Sequence, residues 1–226
     1  MLSTIAKGVN YLFGGYLQKK KIFLSSSLIN IDRKRSIDKN YFDYIRLATL
    51  EAISYEIAQK GLPGSVAELG VYKGKFARFI NFYFKDRKLY LFDTFESFDE
   101  RDVKNEKEKG LSSGSQDFSA TSVDSVLKIM PYPQNCIPVK GFFPESAVNI
   151  EDRFIYVNLD ADLYEPVYAG LKFFYPRLNK GGYIFIHDFN NPNYKGARLA
   201  VETFCEENNI GFVPIPDSSG TAIIAK

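Results

Sequence analysis

Short apolar runs alternate with stretches of helical periodicity along most of the chain, and this order constrains the fold more than any other feature. Five such runs have the length of buried strands, and they cover residues 65–69, 88–92, 136–139, 153–159 and 183–186. Apolar residues at helical spacing predict helices over residues 41–60, 76–84, 121–130, 163–178 and 195–208. Strands that alternate with helices predict a mostly parallel sheet with helices on both faces.

The C-terminal end breaks this alternation. Residues 211–215 and 221–225 both have strand character, and the turn residues 216–220 join them without a helix. Two such strands in succession predict an antiparallel pair. The predicted fold class is therefore α/β, a Rossmann-like doubly wound sheet that is mostly parallel and has one antiparallel strand at its end.

Composition limits the class of protein. With 226 residues, of which 45% are hydrophobic, the chain can bury the core of one domain. The net charge of +2 predicts no nucleic-acid partner, because such a partner would need a concentrated basic surface. The two cysteines, Cys136 and Cys205, are too few for a disulfide framework, and no apolar run has the length of a membrane-spanning helix. These features predict a cytoplasmic protein.

The N-terminal segment has a different character. Apolar residues recur at helical spacing from Leu2 to Phe13, and three lysines follow at residues 19–21. We predict an amphipathic helical extension over residues 1–40, with a polar link near residues 30–40, and a main domain over residues 41–226. The extension has two alternative uses. It packs on the domain or on the partner in a homodimer, or it makes a peripheral contact with the inner face of a membrane through residues 1–21.

Residues 96–119 are rich in charged side chains, glycine and serine. This composition predicts a mobile loop. The loop is either a lid that orders over a bound ligand or an exposed insertion.

Polar residues follow the first three predicted strands, at the sheet edge where doubly wound folds bind ligands. Glu68, Gly70 and Gly74 belong to a glycine-bearing turn (ELGVYKG) after the first strand, where a ligand can approach the backbone. Asp93 ends the second strand at a position where a carboxylate can bind a ribose diol. Thr94 follows Asp93, and Gly141 follows the third strand. These six residues form the predicted cofactor site.

The turn after the first strand does not have the three-glycine spacing of a dinucleotide site, and it carries a carboxylate where a pyrophosphate would be repelled. A nucleoside cofactor without phosphates fits better, and S-adenosylmethionine has both a ribose and an ammonium group. The alternative is a turn that serves packing alone.

A second polar cluster follows the fourth and fifth strands and comprises Asp160, His187 and Asp188. Two carboxylates at neighbouring strand ends repel each other unless a cation lies between them, and carboxylates suit Mg²⁺ or Mn²⁺. Such an ion could bind a substrate hydroxyl and lower its pKa. His187 is alternatively a structural residue or a general base. For Asp162 we predict a helix N-cap.

The sequence resembles the macrocin O-methyltransferase family, the metal-dependent enzymes that methylate sugar hydroxyls. The resemblance covers residues 41–226 and depends on segments such as PGSVAELGVYKGKFARFI, LYLFDTFESF and NLDADLYEPVYAGLKFFYPRLNKGGYIFIHDF. It implies a seven-stranded methyltransferase sheet and S-adenosylmethionine bound by the segments that contain Glu68, Gly70, Asp93 and Gly141.

The resemblance also implies roles for the second cluster. Asp160 is expected to be a metal ligand and the candidate general base, and Asp188 a second ligand. His187 stands where relatives usually have an aspartate, so the site is expected to favour Mn²⁺ or another ion that tolerates imidazole.

The predicted function is S-adenosylmethionine-dependent, metal-assisted O-methylation of a sugar or glycoside hydroxyl, on a surface glycan or a nucleotide sugar. Asp160 and His187 are its predicted catalytic residues. Two alternatives use the same fold, and they are a nucleotide-dependent oxidoreductase and a non-catalytic binding protein.

Overall fold

The computed structural model describes residues 2–20, 22 and 43–226. The chain divides into two compact units, Met1–Phe42 and Asp43–Lys226. The polar link predicted near residues 30–40 lies outside the described residues, as do Lys21 and the first two residues of the helix predicted over 41–60. In the first unit, helix α1 spans Leu2–Lys19. Within the described ranges, every helix is too short or too polar to cross a bilayer.

The second unit contains one seven-stranded sheet. Its strands are β1 Ser65–Leu69, β2 Leu89–Asp93, β3 Cys136–Lys140, β4 Phe154–Leu159, β5 Leu178–Ile186, β6 Val213–Ile215 and β7 Thr221–Ala225. The strand order is β3-β2-β1-β4-β5-β7-β6. Strands β1 to β5 pair in parallel, and β7 is antiparallel to both β5 and β6. The predicted fold class is confirmed, including the antiparallel C-terminal pair.

Six helices accompany this sheet. They are α2 Tyr44–Gln59, α3 Ala77–Tyr83, α4 Glu100–Glu108, α5 Val123–Lys128, α6 Tyr164–Arg177 and α7 Lys195–Asn208, with short 3-10 helices at Pro133–Asn135 and Glu145–Ala147. Ser122 caps α5, since its side chain accepts a hydrogen bond from the Ser125 backbone nitrogen.

Strand β5 begins earlier than the sequence predicts. Residues 179–182, which follow the predicted helix and precede the predicted strand, lie inside β5. The reason is close packing on β4, since a Cβ at Gly182 would lie 2.8 Å from the carbonyl oxygen of Ile155. A glycine after a helical segment usually ends the helix. Gly182 instead allows the chain to continue in the sheet, because it has no side chain to clash with β4.

The loop predicted over residues 96–119 is wrong for residues 100–108, which form α4. Asp99 caps this helix, and the Glu106 carboxylate accepts a hydrogen bond from the Tyr164 backbone nitrogen (3.0 Å) at the start of α6. The charged composition conceals this helix because its buried side chains, Asp102 and Glu106, are acidic. The idea that the segment closes over a ligand stays a prediction.

The chain reverses its direction of travel across the sheet between β1 and β4. From β1 it moves to β2 and β3 on one side, and then returns to β4 and β5 on the other. The carboxyl ends of β1 and β4 therefore flank the switch point at which such sheets bind ligands.

Candidate active site

Asp93 closes the turn that follows β1. Its Oδ2 accepts hydrogen bonds from the backbone nitrogens of Val71 (2.7 Å) and Tyr72 (2.9 Å), and its Oδ1 accepts one from Phe95 (2.6 Å). The carboxylate is partly exposed, and an ionised carboxylate has about four acceptor positions. It can therefore hold the turn and still accept a hydrogen bond from a ligand.

Gly70 and Gly141 bring the ends of the first three strands together. The Gly70 nitrogen donates to the Phe92 carbonyl (2.9 Å), and the Gly141 nitrogen donates to the Asp93 carbonyl (3.0 Å). Both glycines have positive φ and are partly exposed. A Cβ at Gly70 would overlap the carbonyl oxygen of Asp160, so this glycine lets the β1 turn contact the end of β4.

Gly74 and Thr94 have structural contacts instead. Gly74 is buried, and a Cβ there would lie 2.9 Å from side-chain carbons of Met130 and Val126. The Thr94 hydroxyl donates to the Ser97 carbonyl (2.5 Å). These two predicted cofactor residues are engaged in packing and turn formation at the site's edge.

A chain of buried polar side chains links β1, β4 and α2. Asn158 donates from Nδ2 to Oε1 of Glu68 (2.8 Å), and its Oδ1 accepts from Nη2 of Arg46 (2.9 Å). The same Nη2 donates to Oδ2 of Asp160 (2.8 Å), forming an ion pair. Burial and the charge of Asp160 raise the pKa of Glu68 well above its ordinary value. Glu68 Oε2 is buried and has no hydrogen-bond partner among the described residues.

His187 lies between the two carboxylates at the ends of β4 and β5. Its Nδ1 is 3.0 Å from Oδ1 of Asp160 and 3.0 Å from Oδ2 of Asp188. Burial alone would lower the pKa of His187, but the carboxylates, Asp160 foremost, outweigh it and raise the pKa to about 9. Burial opposes ionisation of Asp160 as well, yet the charges of His187 and Arg46 hold the pKa of Asp160 well below its ordinary value. The protein therefore supplies positive charge to both carboxylates.

The N-cap predicted for Asp162 is wrong. Leu163 occupies the N-cap position of α6, without a side-chain hydrogen bond, and Asp162 has a φ of 60°. Asp162 instead hydrogen-bonds Asp188. Burial and this neighbouring carboxylate raise the pKa of Asp162 well above its ordinary value, which suits a protonated carboxyl that donates to Asp188. Its left-handed backbone turns the side chain toward β5 rather than toward the helix.

The ligand atoms of Asp160, His187 and Asp188 all lie within 4.8 Å of one another. The structure thus brings the three predicted metal ligands together. The same holds for a second group, Asp43, His187 and Asp217. Asp43 in that group already accepts hydrogen bonds from Arg46 and Ser218, so its oxygens are engaged in structure.

Sequence reasoning missed Arg46. It is 3% exposed, and its guanidinium stacks over the Phe76 ring at 3.8 Å. One signal was available, since an arginine at this place interrupts the apolar side of α2. A charged residue on a buried helical face usually has a charged partner.

Strand order, a glycine turn after β1 and a carboxylate at the end of β2 together define a Rossmann-like methyltransferase fold. The chain belongs to the macrocin-O-methyltransferase (TylF) family, which it matches over residues 33–221. The protein is therefore an O-methyltransferase rather than an oxidoreductase or a non-catalytic binding protein.

Solved structures share this fold. The O-methyltransferase NovP is 18% identical, with a TM-score of 0.66 over 80% of this chain and 79% of that one. The calicheamicin methyltransferase CalS11 is 20% identical, with a TM-score of 0.63 over 80% and 78%. An apo structure of CalS11, described as a TDP-rhamnose 3'-O-methyltransferase, is 19% identical, with a TM-score of 0.53 over 80% and 78%. No curated protein matches the sequence.

Proposed function

We propose that the protein transfers a methyl group from S-adenosylmethionine to a hydroxyl of a sugar or glycoside, with help from a divalent metal ion. The observation that carries the proposal is the position of Asp160. Its backbone packs on Gly70 of the β1 turn, and its side chain belongs to the acidic cluster. One residue therefore joins the two parts of the site, so a donor at the turn and an acceptor at the cluster would be neighbours.

The residues at the ends of β1, β2 and β3 suit S-adenosylmethionine, which supplies an activated methyl group. Asp93 has spare acceptor capacity for a ribose hydroxyl, and the glycine backbones at positions 70 and 141 leave room for close approach. Glu68 is buried at the end of β1 and accepts a hydrogen bond from Asn158, so its role is to hold the strand ends in place. We assign cofactor contact to Asp93, Gly70 and Gly141, with Glu68, Gly74 and Thr94 in support.

Asp160, His187 and Asp188 suit a divalent ion by their chemistry and spacing. Two carboxylates and an imidazole within 4.8 Å form a donor set that Mn²⁺ accepts more readily than Mg²⁺. When bound there, such an ion would lower the pKa of a sugar hydroxyl. Arg46 contacts Asp160 on Oδ2, whereas Oδ1 faces His187, so Asp160 would hold the ion together with His187 and Asp188.

The proton of the acceptor hydroxyl must be received by this cluster. Asp160 is ionised but is a weak base, because His187 and Arg46 hold its pKa low. His187 contacts both carboxylates and carries a proton at neutral pH, so it becomes a proton acceptor only once that proton has passed to solvent, as binding of a divalent ion would require. We therefore assign proton acceptance to the Asp160–His187 pair, with Asp160 orienting the imidazole.

Two names support a sugar acceptor. The family is named for methylation of macrocin, and CalS11 is described as a TDP-rhamnose 3'-O-methyltransferase. The acceptor we propose is a nucleotide sugar or a surface glycan.

The test is transfer of a labelled methyl group from S-adenosylmethionine to a panel of nucleotide sugars and glycans. Asp160→Asn should abolish transfer and leave cofactor binding intact, whereas Asp124→Asn, on an exposed position of α5, should retain activity. Turnover by Asp160→Asn close to that of the unmodified enzyme would remove Asp160 from the chemistry.

Metal binding has its own test, which does not use activity. Titration calorimetry with Mn²⁺ should detect one site in the unmodified protein and a large loss of affinity in Asp188→Asn. Equal Mn²⁺ affinity in the two proteins, or full methyl transfer in excess EDTA, would count against the metal.

A cytoplasmic location and a homodimer stay predictions, as does a peripheral membrane contact through residues 1–21. None of them is required for the chemistry of Asp160 and Asp93.

A further inference from the structure

Helix α1 (Leu2–Lys19) presents a continuous apolar face to solvent. Ile5, Leu12, Phe13 and Tyr16 are 58%, 71%, 57% and 64% exposed. These positions, with Val9 between them, fall on one side of an α-helix because each residue advances about 100° around the axis. A stripe of large exposed apolar side chains on a single helix face indicates a surface that has a partner.

The opposite side of α1 is polar. Lys7 and Tyr11 lie there, and Tyr11 is 90% exposed. Gly8, Gly14 and Gly15 flank the polar side, and a Cβ at any of them would meet no atom within 4 Å. Glycine lowers helix stability relative to alanine. Three glycines in eighteen residues therefore make this a helix that gains stability by burying its apolar face.

The charge of the segment identifies the partner. Residues 1–31 contain four lysines and no aspartate or glutamate, and the lysines stand at positions 7, 19, 20 and 21. The remaining residues carry 25 basic and 27 acidic side chains, so the positive charge of the chain is concentrated in this segment. A second copy of α1 would add four more lysines and no acidic partner. An anionic lipid surface instead complements both the apolar face and the lysines.

We propose that α1 lies in the surface of a bilayer that contains anionic lipids. Its apolar face enters the boundary of the acyl chains, and the lysines contact the headgroups. Such a helix would hold the methyltransferase domain at a membrane, and this conclusion does not depend on the acceptor or on the metal.

The experiment uses the full chain and two kinds of vesicle, phosphatidylcholine alone and phosphatidylcholine mixed with phosphatidylglycerol. Binding is measured by cosedimentation. The unmodified protein should sediment with the mixed vesicles, and added salt should weaken this binding. Equal binding to both vesicles, or to neither, would overturn the proposal.

Two aromatic residues on opposite faces of α1 make a matched pair. Phe13→Gln, on the apolar face, should reduce partitioning on the order of tenfold, whereas Tyr11→Gln should change it less than about twofold. Lys19→Gln with Lys20→Gln should reduce binding to the mixed vesicles on the order of tenfold. All of these side chains are exposed, so the thermal unfolding of the domain should not change and serves as the folding control.

Sedimentation velocity tests the alternative partner of the apolar face of α1, which is a second copy of this chain. If Phe13→Gln dissociates an oligomer and the unmodified protein does not bind the mixed vesicles, α1 is a subunit contact and the proposal is wrong. Phe13→Gln and Tyr11→Gln with equal vesicle affinity would also contradict it.

Discussion

Replacing Arg46 with methionine tests whether the buried polar chain stabilises the active site. Methionine has a similar length and can still pack on the Phe76 ring, so the change removes mainly the guanidinium. Asp160 would then lose its 2.8 Å ion pair, and Asn158 would lose its 2.9 Å donor. We expect a large loss of stability from this single change.

The size of the loss follows from burial. Removing one partner of a buried ion pair destabilises a protein by about 3 to 5 kcal/mol. The side chain of Arg46 is 4% exposed and that of Asp160 is 21% exposed, so the lower end, about 3 kcal/mol, applies. The hydrogen bond to Asn158 adds roughly 1 kcal/mol, for a total of about 4 kcal/mol. This is a substantial part of the 5 to 15 kcal/mol typical of a folded domain.

Urea denaturation followed by circular dichroism measures this free energy of unfolding. Lys60→Met is the matched control, because Lys60 lies just past the end of α2 and forms an exposed ion pair with Glu56. It should lose less than about 0.5 kcal/mol. In an Asp160→Asn background, Arg46→Met should be less damaging, because position 160 then carries no charge for Arg46 to balance. If Arg46→Met is no more destabilising than Lys60→Met, the polar chain does not stabilise the fold.

Two further predictions concern stability. The pKa of His187 is raised in the folded protein from an ordinary value near 6.5 to about 9, so its contribution, about 3 kcal/mol, is fully present below pH 6.5 and is lost as the pH rises through 9. The unfolding free energy of the unmodified protein should therefore fall toward that of His187→Gln across this range, and parallel pH profiles for the two proteins would contradict the ion pairs. Gly70 has a φ of +86°, and a Cβ there would overlap the backbone of Asp160, so Gly70→Ala should destabilise the protein by about 3 kcal/mol or more. Gly110 has a φ of +65° but open space around it, so Gly110→Ala should destabilise the protein by only about 1 kcal/mol. Similar unfolding free energies for these two variants would show that the β1 turn and the end of β4 are not in close contact.

The sheet could be predicted from the sequence because strand signals are local. Each of the five apolar runs is followed within two residues by a glycine or a carboxylate, and parallel strands bring those ends to one edge. Asp160, His187 and Asp188 could therefore be placed together before their distances were known, and the ligand atoms do converge.

Other features depend on contacts that are distant in sequence. Arg46 meets Asp160 across 114 residues, and no local pattern indicates that pairing. Asp162 has the position of an N-cap, but its left-handed backbone directs it to Asp188. Helix α4 was hidden because its buried face carries carboxylates, one of which binds the start of α6. In each case a tertiary contact overrides the local preference.

Calorimetric titration with S-adenosylhomocysteine tests the central claim most directly, because it needs no acceptor. The unmodified protein should bind one equivalent and should not bind NAD. Asp93→Ala should weaken that binding by roughly 10- to 150-fold, the equivalent of about 1.5 to 3 kcal/mol, whereas Asp86→Ala, an exposed residue ahead of β2, should leave it unchanged. Failure to bind S-adenosylhomocysteine, or equal affinity in Asp93→Ala and the unmodified protein, would contradict the cofactor site at the ends of β1, β2 and β3.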